Sequence, residues 1–298
     1  MGPDTAVTAK TVFSVKGTML FMSAKNLALI PLWLVFAFGP AAVHADTWRD
    51  HMEAARAAHE RGNDKEAEQR VNDALEEAQN IGPGDPHLPY TLNYLALIYQ
   101  SQGRYDEAEP MYRRAIATWS NLLTEDHPNV AMSLNNLAAL YRAQERYDRA
   151  EVAQRQALAI LEDAFGPNHA SVAISLTNMA DLQRVQGAYD SARPLYMRAQ
   201  AIFETNLGPN HPQVATSLNK LAVLNIDERR YQDAEPLLRR ALAIQEKRFG
   251  PENPGLATTL QKLAVVLRET GRVEDAAELE TRIADIRASA GAPSPSVN

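Results

Sequence analysis

Three histidines, His127, His169 and His211, recur at a separation of 42 residues. Imidazole is the side chain best suited to bind a metal or move a proton near neutral pH. Metal ligands must converge on one point, however, whereas residues set at one fixed interval along an array are displaced from each other. These histidines are expected to pack the turns they occupy or to cap the helices that begin there. Ser133, Ser175 and Ser217 keep the same interval and lack the Gly-x-Ser-x-Gly elbow that exposes a nucleophile. The carboxylates Asp106, Glu107 and Glu109, and again Asp233 and Glu235, open helices, where they complement the dipole. Acid–base work would instead need a carboxylate pair buried in a cleft. The chain has no cysteine, which excludes disulfides, thiolate metal sites and cysteine nucleophiles. It is read as a non-enzyme with no cofactor and no metal.

The elements that position these residues are repeats. Leu134, Leu137 and Ala138 form a Leu-x-x-Leu-Ala core that recurs as Leu92/Leu95/Ala96, Leu176/Met179/Ala180, Leu218/Leu221/Ala222 and Leu260/Leu263/Ala264, always 42 residues on. A fixed period of 20–50 residues is the mark of a solenoid array. Each unit opens on a turn such as Asp126-His127-Pro128 and continues into a first helix of about 14 residues with apolar side chains at i, i+3, i+4 spacing. A break follows at Gly103, Gly187 or Gly271, with Glu145 and Arg229 in the equivalent place. Second helices then start near Tyr105, Tyr147, Tyr189, Tyr231 and Val273, and Gly-Pro pairs at 166–167, 208–209 and 250–251 stop them. Small residues at fixed depth (Ala108, Ala150, Ala192, Ala234, Ala276) let helix axes approach closely.

The unit boundaries fall at roughly 48–84, 86–125, 126–167, 168–209, 210–251 and 252–287. The first unit is degenerate, with helices expected at Glu53–Arg61 and Asp64–Ala78. In the last, Val273 replaces tyrosine and Glu278, Glu280 and Arg282 give a polar outer helix, as the open end of an array requires. Residues 288–298 read as a disordered tail.

Lys25 precedes a short uncharged apolar stretch over residues 26–43, and Val43-His44-Ala45 supplies a cleavage-type end. Residues 1–45 are thus expected to be a secretory signal cut near Ala45, which makes the protein periplasmic or secreted. The alternative is a membrane anchor, and the start could be Met1, Met19 or Met22. The net charge is −7, and residues 1–45 hold three lysines against one aspartate, so the rest of the chain is near −9. Such an acidic body argues against nucleic acid, which needs clustered Lys and Arg.

The Leu-Ala-x-x-Tyr…Ala…Ala skeleton resembles the tetratricopeptide repeat. The 42-residue spacing, with LNNLA, YDRAE and RALAI, is similar to the variant of kinesin light chains and many bacterial proteins. The resemblance implies an all-α fold, a right-handed α-solenoid of about six helix-turn-helix repeats over Trp48 to Arg287. It also implies that partner peptides lie along the groove of the first helices, held by polar residues beside the Leu-Ala core. By position these are one row of Asn93, Asn135, Thr177, Asn219 and Gln261, a second of Tyr94, Asn136, Asn178, Lys220 and Lys262, and a third of Arg142, Arg184 and Arg268. Asparagine both donates and accepts and so pairs with an extended backbone of any sequence; arginine captures carboxylates, which favours acidic or C-terminal segments. The same asparagines could instead tie neighbouring first helices together. The expected function is a module binding other proteins or peptides. A self-associating scaffold or an accessory subunit of a separately encoded enzyme are the alternatives.

Overall fold

The computed structural model describes residues 40–82 and 84–291, with side chains from His44 to Ser289. The expected signal core and residues 292–298 of the expected tail lie outside the described residues, as do their fates; residues 288–291, expected to open that tail, instead finish the last helix. Twelve α-helices are described: α1 (Pro40–Glu60), α2 (Asp64–Ile81), α3 (His87–Ser101), α4 (Tyr105–Leu122), α5 (Pro128–Ala143), α6 (Tyr147–Phe165), α7 (Ala170–Val185), α8 (Tyr189–Leu207), α9 (Pro212–Asp227), α10 (Tyr231–Phe249), α11 (Ala257–Glu269) and α12 (Val273–Gly291). A single 3-10 turn, Pro254–Leu256, leads into α11. They form six consecutive hairpins.

One expectation is corrected at the first hairpin. Helix α1 begins at Pro40, not Glu53, and runs unbroken through Ala45. Trp48, Met52, Ala55 and Ala58 are buried against α2 and α3, and the Trp48 indole Nε1 donates to Thr91 Oγ1 at 2.7 Å. These four lie at i, i+4, i+7 and i+10, one face of a helix.

The hairpin core is built from the small residues. Ala108, Ala150, Ala192, Ala234 and Ala276 are each at most 1% exposed, so the two helices of each hairpin close on one another there. Leu137 and Tyr141 of α5 reach back to cluster with Ala108 and Tyr112 of the preceding hairpin. The breaks between paired helices need a left-handed residue: Gly62, Gly103, Gly187 and Gly271 supply it, and Glu145 (φ 58°) and Arg229 (φ 59°) adopt it at the two positions without glycine.

First helices of successive hairpins touch: α1 with α3, α3 with α5, α5 with α7, and α9 with α11. Second helices do not meet to the same extent. A stack whose first helices lie closer together than its second helices must bend towards the first helices, which therefore form the inner face.

Candidate functional site: the inner face of the first helices

Each first helix after α1 is fixed at its start by one side chain. At the joints before α3, α5, α7, α9 and α11 the residues Asp85, His127, His169, His211 and Asn253 occupy equivalent places, 42 residues apart. Each accepts the backbone N–H two residues on. Asp85 takes His87 N–H at 2.8 Å, the three imidazole Nδ1 atoms take Asn129, Ser171 and Gln213 N–H at 3.1, 3.2 and 3.2 Å, and Asn253 takes Gly255 N–H at 2.8 Å. The repeat-spaced histidines are helix caps.

At the last three of these joints an arginine also closes the turn. Arg198 donates to Glu162 and to the Pro167 carbonyl at 2.7 and 2.9 Å. Arg240 does the same to Glu204 and the Pro209 carbonyl, and Arg282 to Glu246 and the Pro251 carbonyl.

The three predicted rows meet different fates. The first is mostly a structural tie. Asn93 Nδ2 donates to Ser133 Oγ at 2.6 Å, and Asn219 Nδ2 to Thr259 Oγ1 at 3.0 Å. Asn135 Oδ1 accepts from Gln154 Nε2 at 2.5 Å and from Ser175 Oγ at 3.3 Å. In each case an asparagine reaches the hydroxyl 40 residues on, which sits in the next first helix. Asn135 and Asn219 are 7% and 9% exposed, so their side chains are spent inside the wall and are not offered to a groove. Thr177 bonds its own helix at Ala173 O. Gln261 alone of this row is exposed. Two of the serines rejected as nucleophiles, Ser133 and Ser175, thereby acquire a structural role, while Ser217 bonds Val214 O of its own helix.

The second row is the available one. Asn136, Asn178 and Lys262 are half-buried and take no hydrogen bond or ion pair among the described residues. Lys220 Nζ lies 2.6 Å from Asp181 Oδ2. Tyr94 is the correction here: it is 4% exposed and sits in the core, edge-on to His59 at 6.5 Å between ring centres. Burial is also what raises its phenol above the ordinary value.

The third row divides. Arg142 Nη1 is 3.7 Å from Asp181. Arg184 pairs with Asp227 at 2.5 Å and leaves its Nε buried without an acceptor. Arg268 turns to Glu280 of its own hairpin and leaves the face.

Asp181 is the residue that sequence reasoning missed. It is 5% exposed and takes the Tyr196 hydroxyl as well as Lys220. In the other units this place holds Leu97, Ala139, Val223 and Val265, and that break in an apolar column was the signal available. Around it stand Arg142, Arg184, Lys220 and Lys262, with Asp227 as the other carboxylate. Burial lowers the Lys262 ammonium below the ordinary lysine value, Lys220 and Arg184 push the same way, and Asp181 opposes them. A half-buried cation repelled by two others and paired with none is a ready partner for an anionic group. A small niche between α5, α6 and α7 is lined by Asn135, Ala138, Ala139, Arg142, Gln154, Asn178 and Leu182. Among the described residues no cluster of three metal-ligating side chains occurs, and no helix is long and apolar enough to cross a membrane.

Solved structures of the same architecture are numerous. BtubC (BKLC) from P. vanneervenii is 24% identical, with 88% of this chain and 96% of that one covered and a TM-score of 0.63. A putative kinesin light chain from Podosopora anserina with nearly identical TPR-like repeats is 26% identical over 70% of this chain and 99% of its own, at a TM-score of 0.58. PilW, a type IV pilus biogenesis factor, is 20% identical over 81% and 92%, at 0.57. Among curated proteins none matches. The tetratricopeptide repeat model matches four overlapping stretches, residues 87–163, 130–205, 171–247 and 213–289. Six stacked hairpins, the 42-residue period and these matches together make the chain a member of the tetratricopeptide repeat family, with repeats like those of kinesin light chains.

Proposed function

We propose that the protein captures extended, acidic segments of partner proteins on the inner face of α5, α7, α9 and α11. The observation that carries this reading is the contrast between two adjacent rows. The three asparagines of the first are consumed by inter-helix ties, while Asn136, Asn178 and Lys262 in the second take no hydrogen bond or ion pair among the described residues. Side-chain amides at repeat spacing match a peptide backbone, and the Arg142, Arg184, Lys220 and Lys262 group selects carboxylates over cations. The overall negative charge keeps other acidic surfaces away, so attraction is confined to this patch. Export remains part of the proposal and rests on residues 26–45; N-terminal sequencing of the protein recovered from its native host tests it.

The experiment for binding is an array of extended peptides of varied charge, probed with the wild-type chain and with Asn178→Ala/Lys262→Glu. Acidic peptides retained by the wild type and lost by the variant are the expected result. No charge preference, or equal binding by both proteins, overturns the assignment.

A further inference from the structure

Five joints use one geometry with three kinds of acceptor. The outer two, Asp85 and Asn253, accept an amide N–H whether the solution is neutral or mildly acidic. The inner three are imidazoles, and each accepts through Nδ1. That atom has a lone pair only while the ring is neutral with its proton on Nε2. A second proton removes the acceptor and sets a positive charge at the positive end of a helix dipole. Both effects oppose the cap.

We propose that the histidine caps make the middle of the array acid-labile: protonation of His127, His169 and His211 unfastens the first turns of α5, α7 and α9. These are the helices that carry Asn136, Asn178 and Lys220, so mild acid also loosens the inner face. That second consequence rests on the groove reading; the first does not.

The surroundings support the sign. Burial lowers all three imidazoles below the ordinary value near ~6.5. Arg248 of α10 adds to the effect at His211. The Phe165 ring of α6 stacks on His169 at 4.5 Å. The charged groups at these joints are Glu162 and Arg198 around His169, from α6 and α8, and Glu204 and Arg240 around His211, from α8 and α10. Each carboxylate is engaged by its arginine. His127 has Glu125 and Asp126 in its own joint, and burial is its resolved cause. A folded state that favours the neutral ring gains stability above the ordinary imidazole value and loses it as pH falls through the lowered one. His44, His51, His59 and His87 lie beside carboxylates in the first hairpins, away from these three caps.

Thermal melting of the full chain at pH 7.5 and pH 5.0 tests this against the triple variant His127→Asn/His169→Asn/His211→Asn, which copies the Asn253 cap and keeps the other histidines. The wild-type Tm is expected to fall by roughly 6–12 °C more than that of the variant, at about 2–4 °C for each of the three caps. Parallel curves overturn the proposal. Amide NMR of the wild type gives an independent reading. Asn129, Ser171 and Gln213 N–H should each follow an imidazole titration while Gly255 stays still; equal movement of all four overturns it. Peptide binding that fails at every pH, with the melting difference intact, removes the groove reading and leaves the acid-labile caps.

Discussion

The two ends of the inner face are built from the same repeat and present opposite chemistry. Over α1 and α3 most polar side chains are bonded: Arg56 to the Tyr90 hydroxyl at 2.8 Å, His59 to Asp64 at 2.7 Å, and Asn93 through Nδ2 to Ser133, though its Oδ1 is buried without a donor; Tyr94 is buried. Trp48 lies edge-on to His87 and Tyr90. That end is closed by aromatic packing. Over α7, α9 and α11 there is an excess of cations, with Lys262 unpaired, the Arg184 Nε buried without an acceptor, and Val185 and Val265 exposed at 41% and 44%. Beneath both regions the alanine columns are equally buried. The repeat therefore sets the wall, and the residues at a few lining positions set the chemistry that the wall presents.

The strongest way to break this comparison is charge reversal at its two ends. Lys262→Glu should weaken capture of an acidic peptide on the order of 10- to 100-fold, and Arg56→Glu should leave it unchanged, both read by fluorescence anisotropy. Equal losses would mean that the ends are not distinct. Next comes the core, where the halves should behave alike. Ala150→Leu and Ala234→Leu overfill hairpin contacts and should each destabilise by about 1–3 kcal/mol in denaturant titrations; an unaffected midpoint in either would place that alanine outside the helix–helix contact.

A smaller effect separates wall from lining. Asn219→Ala removes a buried tie to Thr259 and should cost about 1–2 kcal/mol of stability while peptide affinity holds, whereas Asn178→Ala should do the reverse. Lys262→Met should raise the Tm slightly, because it deletes an unpaired, half-buried cation repelled by Lys220 and Arg184. The smallest effect is expected at the breaks. Glu145→Gly relieves a left-handed backbone at a position where the other units carry glycine, and should stabilise by about 0.5–1 kcal/mol.

The architecture was legible because the period is strict. Second helices begin at Tyr105, Tyr147, Tyr189, Tyr231 and Val273, as the tyrosine and glycine spacing predicts. The interval of the histidines argues against a metal site and leaves turn packing or helix capping, of which the structure shows capping. What could not be read was the fate of neighbours such as Asn135 and Asn136. They stand about 100° apart around a helix axis, and only the position of the next hairpin decides which one meets Ser175 and which meets the groove. Tyr94 was misplaced for that reason: its column holds polar residues elsewhere, but α1 covers it. Helix α1 itself was cut short because its first turns abut an apolar stretch with the marks of a leader, although Trp48, Met52 and Ala55 continue the helical face.

The inter-repeat bonds also constrain how such a chain can change length. The ties span 40 residues and the arginine latches 31, and both are anchored on a 42-residue module. If a recombination event excised residues 168–209, Pro167 would run into Asn210 and His211, and Asn135 would face Ser217 as it now faces Ser175. Arg240 would meet Glu162 and Pro167 in place of Arg198. These ties and latches would find partners of the same kind, while the inner face would lose Asn178, Asp181 and Arg184 at one stroke. Unequal crossing-over can thus rewrite what this protein recognises without having to reinvent how it stands up.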